Sequence, residues 1–293
     1  MAEDKILLLA RSRGFCGGVR AASAMLEKLL AEHPGKPVCV LHDLVHNRHV
    51  RESFARRGVS FIDDLEQLPR GAILLLGAHG VPAETELRAR ELASLVVDAV
   101  CPLVRARQRE AEKLKAGDTL ILLGRPGHME TVGIVGRSGA GANIVISSAE
   151  EAVRIGLPSS AVLLAQTSFD AFELARCREV LERRIPSLSF RGGLCGVSQE
   201  RQAEVERMAR EVEAVAVAGS SGSSNSRRLC ETAERCGARA VLAESAAELP
   251  PELFTLRRVG LTAGASTPDA DVDGMLERFS AADFRIEDAP AAE

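Results

Sequence analysis

Three times along this chain a cysteine stands where a short apolar, strand-like run gives way to a helical pattern. The three places are Gly14-Phe15-Cys16-Gly17-Gly18, Asp98-Ala99-Val100-Cys101-Pro102 and Gly192-Gly193-Leu194-Cys195-Gly196. They recur roughly every ninety residues, and self-similarity at a long, nearly constant spacing means that one structural unit is used repeatedly. Between the cysteines, short apolar runs alternate with longer amphipathic stretches. Such alternation folds as parallel strands covered by helices, with ligands at the carboxyl ends of the strands.

Taken in order, a strand at 6–10 leads through the first cysteine turn into a helix at 21–30, and a strand at 37–41 ends in His42-Asp43-Leu44-Val45-His46-Asn47. A helix at 50–57 and strands at 59–62 and 72–76 follow, the last ending in Gly77-Ala78-His79-Gly80. A helix at 83–93 and an apolar run at 95–100 deliver Cys101. The second third repeats this: helix 103–114, strand 119–123 ending in a loop from Gly124 to Glu130, strand 143–147, helix 150–155, strand 161–165 ending in Gln166-Thr167-Ser168, helix 171–184 and strand 188–190. The last third has helix 200–212, strand 214–218, a serine-rich loop at 219–226, helix 227–236, strand 238–243, helix 246–249 and strand 258–262. The expected fold is therefore α/β, with three small domains at 14–98, 99–193 and 194–281. The strand at 5–10 is expected to pack on the third domain, and 282–293 reads as a polar, alanine-rich tail.

Composition removes several function classes. The chain has 293 residues, a formal net charge of −4 and 46% hydrophobic residues, so it offers no basic surface for nucleic acid and is long enough for a substantial core. The first apolar run is too short for a signal peptide or a membrane span, which places the protein in the cytoplasm, away from membranes. Seven cysteines there are not a disulfide framework, so those that matter are expected to be redox-active or metal ligands.

A cysteine at a strand-to-helix junction lies near unpaired backbone N–H groups, which favour the thiolate that binds metal. Each unit contributes one such cysteine and two polar loops at strand ends, and approximate three-fold symmetry would bring them together. Three thiolates on one axis hold three irons of a four-iron cluster and leave the fourth open to substrate. Cys39, Cys177, Cys230 and Cys236 do not recur by unit and are expected to be ordinary buried residues.

The motifs Gly14-Phe15-Cys16, Val45-His46-Asn47, Ala78-His79-Gly80, Cys101-Pro102-Leu103-Val104, Gly127-His128-Met129-Glu130, Gln166-Thr167, Ser223-Ser224-Asn225-Ser226 and Thr262-Ala263-Gly264-Ala265-Ser266, in this order and spacing, make the chain resemble the LytB family of 4-hydroxy-3-methylbut-2-enyl diphosphate reductases. The resemblance implies a trefoil of three pseudo-three-fold related α/β domains around a 4Fe-4S cluster with one iron not ligated by protein. It implies reductive removal of the hydroxyl of an allylic diphosphate, giving isopentenyl and dimethylallyl diphosphates at the end of the methylerythritol phosphate pathway. By the same resemblance Cys16, Cys101 and Cys195 are the cluster ligands. His46, His79, His128, Thr167, Ser223, Ser224, Asn225 and Ser266 hold the substrate, Glu130 delivers a proton, and Thr167 and His128 help it. An external electron donor such as ferredoxin or flavodoxin is implied.

The chain departs from the family pattern in three places. Arg20-Ala21 stands where an Asp-Arg pair is usual, Met129 replaces a proline, and Glu200 replaces an asparagine. Two further readings follow: a paralogue with the same cluster and another substrate, and a non-enzymatic iron–sulfur redox sensor. The sensor would have no reason to keep Glu130, Thr167 and the Ser-Ser-Asn-Ser segment together.

Overall fold

The computed structural model describes residues 4–156 and 158–290. The first stretch contains β1 (Lys5–Leu9), α1 (Gly17–Glu32), β2 (Val38–Leu41), α2 (Arg48–Ala55), β3 (Val59–Ile62), β4 (Ile73–Leu76), α3 (Ala83–Leu92) and β5 (Leu95–Asp98). Next come α4 (Pro102–Glu112), β6 (Thr119–Leu123), α5 (Met129–Val135), β7 (Ala142–Ile146), α6 (Ala149–Arg154), β8 (Ser160–Ala165), α7 (Ala171–Arg184) and β9 (Ser187–Phe190). The last stretch holds α8 (Gly196–Met208), β10 (Ala214–Ala218), α9 (Ser224–Arg235), β11 (Arg239–Ala243), β12 (Arg258–Ala263), α10 (Asp269–Ser280) and β13 (Phe284–Asp288).

These strands form three parallel sheets with one repeated order: β3-β2-β4-β5, β7-β6-β8-β9 and β11-β10-β12-β1-β13. In the third sheet the N-terminal β1 takes the place that β5 and β9 hold in the others, through its parallel pairing with β12. The chain divides into two compact units. One joins the N-terminal strand, the stretch His46–Glu52 and everything from Gly196 onward, and the other joins Gly18–Val45 with Ser53–Cys195. The first two sheets thus share one unit.

The central strands are continuous apolar runs because helices cover both sheet faces. In β10, Ala214, Ala216 and Ala218 face one core with Leu7, Leu9, Met275 and Phe279. Val215 and Val217 face the other, with Leu8, Val205, Met208 and Leu229. This is the period-two alternation of a strand with two buried sides.

The structure departs from the sequence expectations at the less periodic segments. Residues 129–135, read as loop and connection, form α5, a seven-residue helix containing Gly133, too short to show a helical period. Helices α8 and α9 begin earlier than expected, so Ser224, Asn225 and Ser226 are a first helical turn and not a loop. Serine and asparagine satisfy helix N-termini well, and the Ser223 hydroxyl accepts a bond from Ser226 N at 3.3 Å.

Residues 284–288, assigned to a tail, are instead the edge strand β13, paired in parallel with β1. Helix α10 returns the chain to the sheet, and Phe284 then packs edge-on against Phe279 at 5.2 Å between ring centroids. With Phe284 buried, Phe284→Ala is expected to destabilise the protein by about 3 kcal/mol. Urea unfolding measures this, and a change below about 0.5 kcal/mol, the range of ordinary surface substitutions, would mean the strand is not anchored by that ring.

Candidate active site

The three recurring cysteines occupy one local setting. Cys16, Cys101 and Cys195 each immediately precede the first residue of a helix, α1, α4 and α8. Each backbone N–H is bonded to a carbonyl two residues past the end of a strand: Cys16 to Ala265 O at 3.0 Å, Cys101 to Ala78 O at 3.0 Å, and Cys195 to Thr167 O at 2.8 Å. None of the three is in a disulfide, and all are half-buried.

In the unit that contains the third sheet, the carboxyl ends of β10 and β12 bring Ser223, Ser224, Asn225 and Ser266 together with the loop of Cys16. Asn225 Oδ1 accepts from Ala265 N at 2.9 Å, and Ala265 in turn accepts the Cys16 N–H. The Asn225 amide donates to Ser198 Oγ at 3.4 Å, so this side chain braces the Cys16 loop as well as presenting a donor. Ser266 Oγ donates to His46 O at 3.1 Å and fixes the segment carrying that histidine. The Ser224 hydroxyl is buried with no hydrogen-bond partner, a cost that a ligand oxygen would remove. Ser226 is wholly buried between Gly219 and Gly264, where a Cβ on either glycine would strike its hydroxyl, so Ser226 is a packing residue.

In the other unit, Cys101, Cys195, His79, His128, Glu130 and Thr167 belong to the loops that end β4, β5, β6, β8 and β9. Glu130 lies in the first turn of α5 and is 2% exposed. Its Oε1 accepts from Thr167 N at 2.6 Å and its Oε2 from Thr167 Oγ1 at 3.0 Å. Burial pushes the carboxyl up to about 7, against the pull of the two Thr167 bonds and the more distant charge of Arg107. His128 caps α5, its Nδ1 accepting from Glu130 N at 3.2 Å. A neutral imidazole accepting at Nδ1 carries its proton on Nε2. The His79 ring stands edge-on to it, with centroids 5.6 Å apart.

A model of the LytB protein family matches residues 7–280. The 4-hydroxy-3-methylbut-2-enyl diphosphate reductase of Desulfotalea psychrophila is 38% identical over 92% of this chain and 87% of its own length. That of Bordetella bronchiseptica is 37% identical over 94% of this chain and 86% of its own length. The chain belongs to the LytB family. Among solved structures, the E-1-hydroxy-2-methyl-but-2-enyl-4-diphosphate reductase from Plasmodium falciparum superposes with a TM-score of 0.91, covering 99% of this chain and 93% of that one at 25% identity. The three parallel-sheet units with their helices are therefore the LytB fold. None of these relatives lends support to the sensor or paralogue reading.

Against this LytB frame three of the other four cysteines differ in kind. Burial raises the thiol of Cys39 and pushes those of Cys177 and Cys230 up to about 12, which disfavours the thiolate. Three neighbours were missed in the sequence. Ser198 supports Asn225, buried Gln108 lies beneath Gly80, whose positive φ and close approach admit only glycine, and Arg107 reaches the loop of Cys195. Nothing in composition marks them, because each acts through a contact distant in sequence.

The raised Glu130 carboxyl makes stability depend on pH. The folded state keeps a proton that the unfolded state loses from about pH 4.5 upward, so stability falls as pH rises towards about 7 and stays reduced above it. The full loss is about 3 kcal/mol. Glutamine in its place can accept from Thr167 N and donate to Thr167 Oγ1 without carrying charge. Glu130→Gln is expected to be more stable than the parent at pH 8 and equal to it at pH 4. Chemical denaturation of cluster-free protein at the two pH values checks this, and an equal difference at both would remove the charge argument.

Proposed function

We infer that this LytB chain is a 4-hydroxy-3-methylbut-2-enyl diphosphate reductase that removes the allylic hydroxyl as water, using two electrons and two protons, to form isopentenyl and dimethylallyl diphosphates. The observation that carries this reading is the buried acid: Glu130, raised to about 7 and bonded to Thr167, whose carbonyl accepts the N–H of Cys195. A redox sensor has no use for a proton source placed there.

The donor set suits an iron–sulfur cluster. Three cysteines outside any disulfide share one backbone setting, each at the start of a helix, while three of the other four cysteines are pushed away from the thiolate. Cys16, Cys101 and Cys195 would hold it, as a 4Fe-4S cluster with one iron free of protein ligands. Such a cluster supplies electrons and a Lewis-acid site for the departing oxygen. An external one-electron donor, such as ferredoxin or flavodoxin, would reload it. All seven cysteines are free, which favours a reducing, cytoplasmic setting. Each sheet with its helices is proposed as one domain, close to the divisions 14–98, 99–193 and 194–281.

The remaining chemistry belongs to the side chains. His46, His79, His128, Ser223, Ser224 and Asn225 would offer donors to the diphosphate oxygens, and Ser266 would do so by turning its hydroxyl away from His46 O. At helix α9 the first-turn N–H groups add to this, as helix N-termini do for anions. Thr167 N–H is a fixed donor to Glu130 Oε1, so a protonated Glu130 carries its hydrogen on Oε2, facing Thr167 Oγ1. The threonine hydroxyl then accepts from the acid and turns its own hydrogen outward, a relay that moves a proton to the leaving oxygen without exposing the carboxyl to water.

The anaerobically reconstituted protein is expected to convert the allylic diphosphate, with a chemical reductant, into the two isomeric products. Glu130→Gln is expected to lower kcat by roughly 100- to 10,000-fold with near-normal substrate affinity. Because the acid must be protonated, parental kcat is expected to fall as pH rises through about 7. Turnover by Glu130→Gln within a few-fold of the parent would leave the residue a structural cap.

Ser224→Ala removes a hydroxyl that bonds nothing among the described residues. It is expected to weaken substrate binding by about 1.5 kcal/mol or more, the worth of a hydrogen bond to a charged group, while leaving the cluster spectrum unchanged. Calorimetry with the substrate and the cluster spectrum decide this, and unaltered affinity would confine Ser224 to packing.

A further inference from the structure

Helix α4 opens just after Cys101 and α8 just after Cys195, and an arginine stands at the sixth place after each cysteine, Arg107 and Arg201. Side chains on a helix lean toward its N-terminus, so a long one about nine ångström up the axis still reaches back towards the end where the cysteine stands. Both arginines make the same connection. Arg107 Nη2 donates to Gly193 O at 2.9 Å, two residues before Cys195. Arg201 Nη2 donates to Gly14 O at 2.7 Å, two residues before Cys16, and its Nη1 donates to Ala263 O at 2.8 Å, the last residue of β12.

The loops are shaped for these contacts. A Cβ on Gly192 would lie 2.6 Å from three atoms of the Arg107 side chain, so only glycine lets the guanidinium rest on that backbone. At the third matching place the pattern has no donor: Ala22 on α1 and Ala99 before Cys101 are both buried alanines. Arg107 forms no ion pair with a carboxylate among the described residues, and its Nε is buried without a hydrogen-bond partner. Its guanidinium is therefore held by a backbone carbonyl, and its charge reaches Glu130 only through space.

We propose that Arg107 and Arg201 are positioning residues for the metal centre, each tying the loop before one cysteine ligand to a helix that another cysteine opens. Arg107 also adds a positive charge beside the Cys195 loop. This rests on the reading of Cys16, Cys101 and Cys195 as cluster ligands. A cation and N–H donors near the ligand loops hold thiolates in register and favour the reduced cluster, because net charge and hydrogen bonds set the potential of such centres.

The test uses anaerobically reconstituted full-length protein and Arg107→Met, Arg107→Lys and Arg201→Lys, with Arg109→Met, an exposed arginine on the same helix, as control. Three quantities are read: the rate of cluster loss to an iron chelator, the midpoint potential by redox titration, and the melting temperature of cluster-free protein. Arg107→Met is expected to lose its cluster about 10- to 100-fold faster and to shift to a more negative potential, with its cluster-free melting temperature close to the parent's. Arg107→Lys keeps the charge and is expected to restore the potential but only part of the retention. Arg201→Lys is expected to release the cluster faster at an unaltered potential. Parental retention and potential in Arg107→Met, or the same loss in Arg109→Met, would overturn the proposal, as would a fall in melting temperature that accounts for the loss by unfolding. A parent protein that takes up no iron would overturn the cluster reading itself.

Discussion

Each cysteine that opens a helix gives its backbone N–H to a carbonyl two residues beyond a neighbouring strand, and the candidate site depends on that bond three times over. It places the thiol by the end of a sheet and not by the packing of its own side chain. A loop so tethered is as well fixed as the parallel ladder behind it. The ladder is fixed in turn because its central strands are buried on both faces, where a one-residue slip would exchange the two cores. The buried runs of β4, β8 and β12, which carry the three carbonyls, are therefore part of the site's construction.

The same economy governs Glu130. Three influences favour its anion: the N–H and the hydroxyl of Thr167, and the more distant charge of Arg107. Hydrogen bonds to a charged group are each worth roughly 1.5 to 3 kcal/mol, yet the carboxyl still rises to about 7, so desolvation outweighs them all. The hydrogen bonds hold the acid in place and temper the shift. Without them it would be a stronger proton holder and a poorer donor near neutral pH. Capping by His128 adds the last constraint, since it fixes the turn from which Glu130 projects.

Much of this was legible in the sequence, for physical reasons that also explain the gaps. Buried parallel strands must be apolar throughout, so the runs at 37–41, 119–123 and 214–218 are plain; the last two have the bounds of β6 and β10, and the first begins one residue before β2. Period fails where elements are short or lie at an edge. Helix α5 has seven residues, and β13 reads Phe-Arg-Ile-Glu-Asp, polar enough to pass for a tail until Phe284 meets Phe279. Among the candidate residues, the three cysteines could be found because their setting repeats, and the others through the likeness of their motifs to the LytB family. Arg107, Arg201 and Ser198 could not, because what distinguishes them is a partner remote in sequence from their own position.

The departures from the family pattern bear on substrate choice, and their positions weaken that concern. Arg20, Ala21 and Glu200 are exposed, each a few residues into a helix that a cysteine opens. Met129 is the first residue of α5, the place where a proline is tolerated because its missing N–H would be an unpaired group in any case. Methionine there keeps an N–H and releases the fixed φ, but the turn is still held by the bond from Glu130 N to His128 Nδ1 and by the two bonds from Thr167 to Glu130. The rigidity that proline would have supplied through the backbone is supplied by side chains. The geometry of the acid is therefore held without a proline at residue 129.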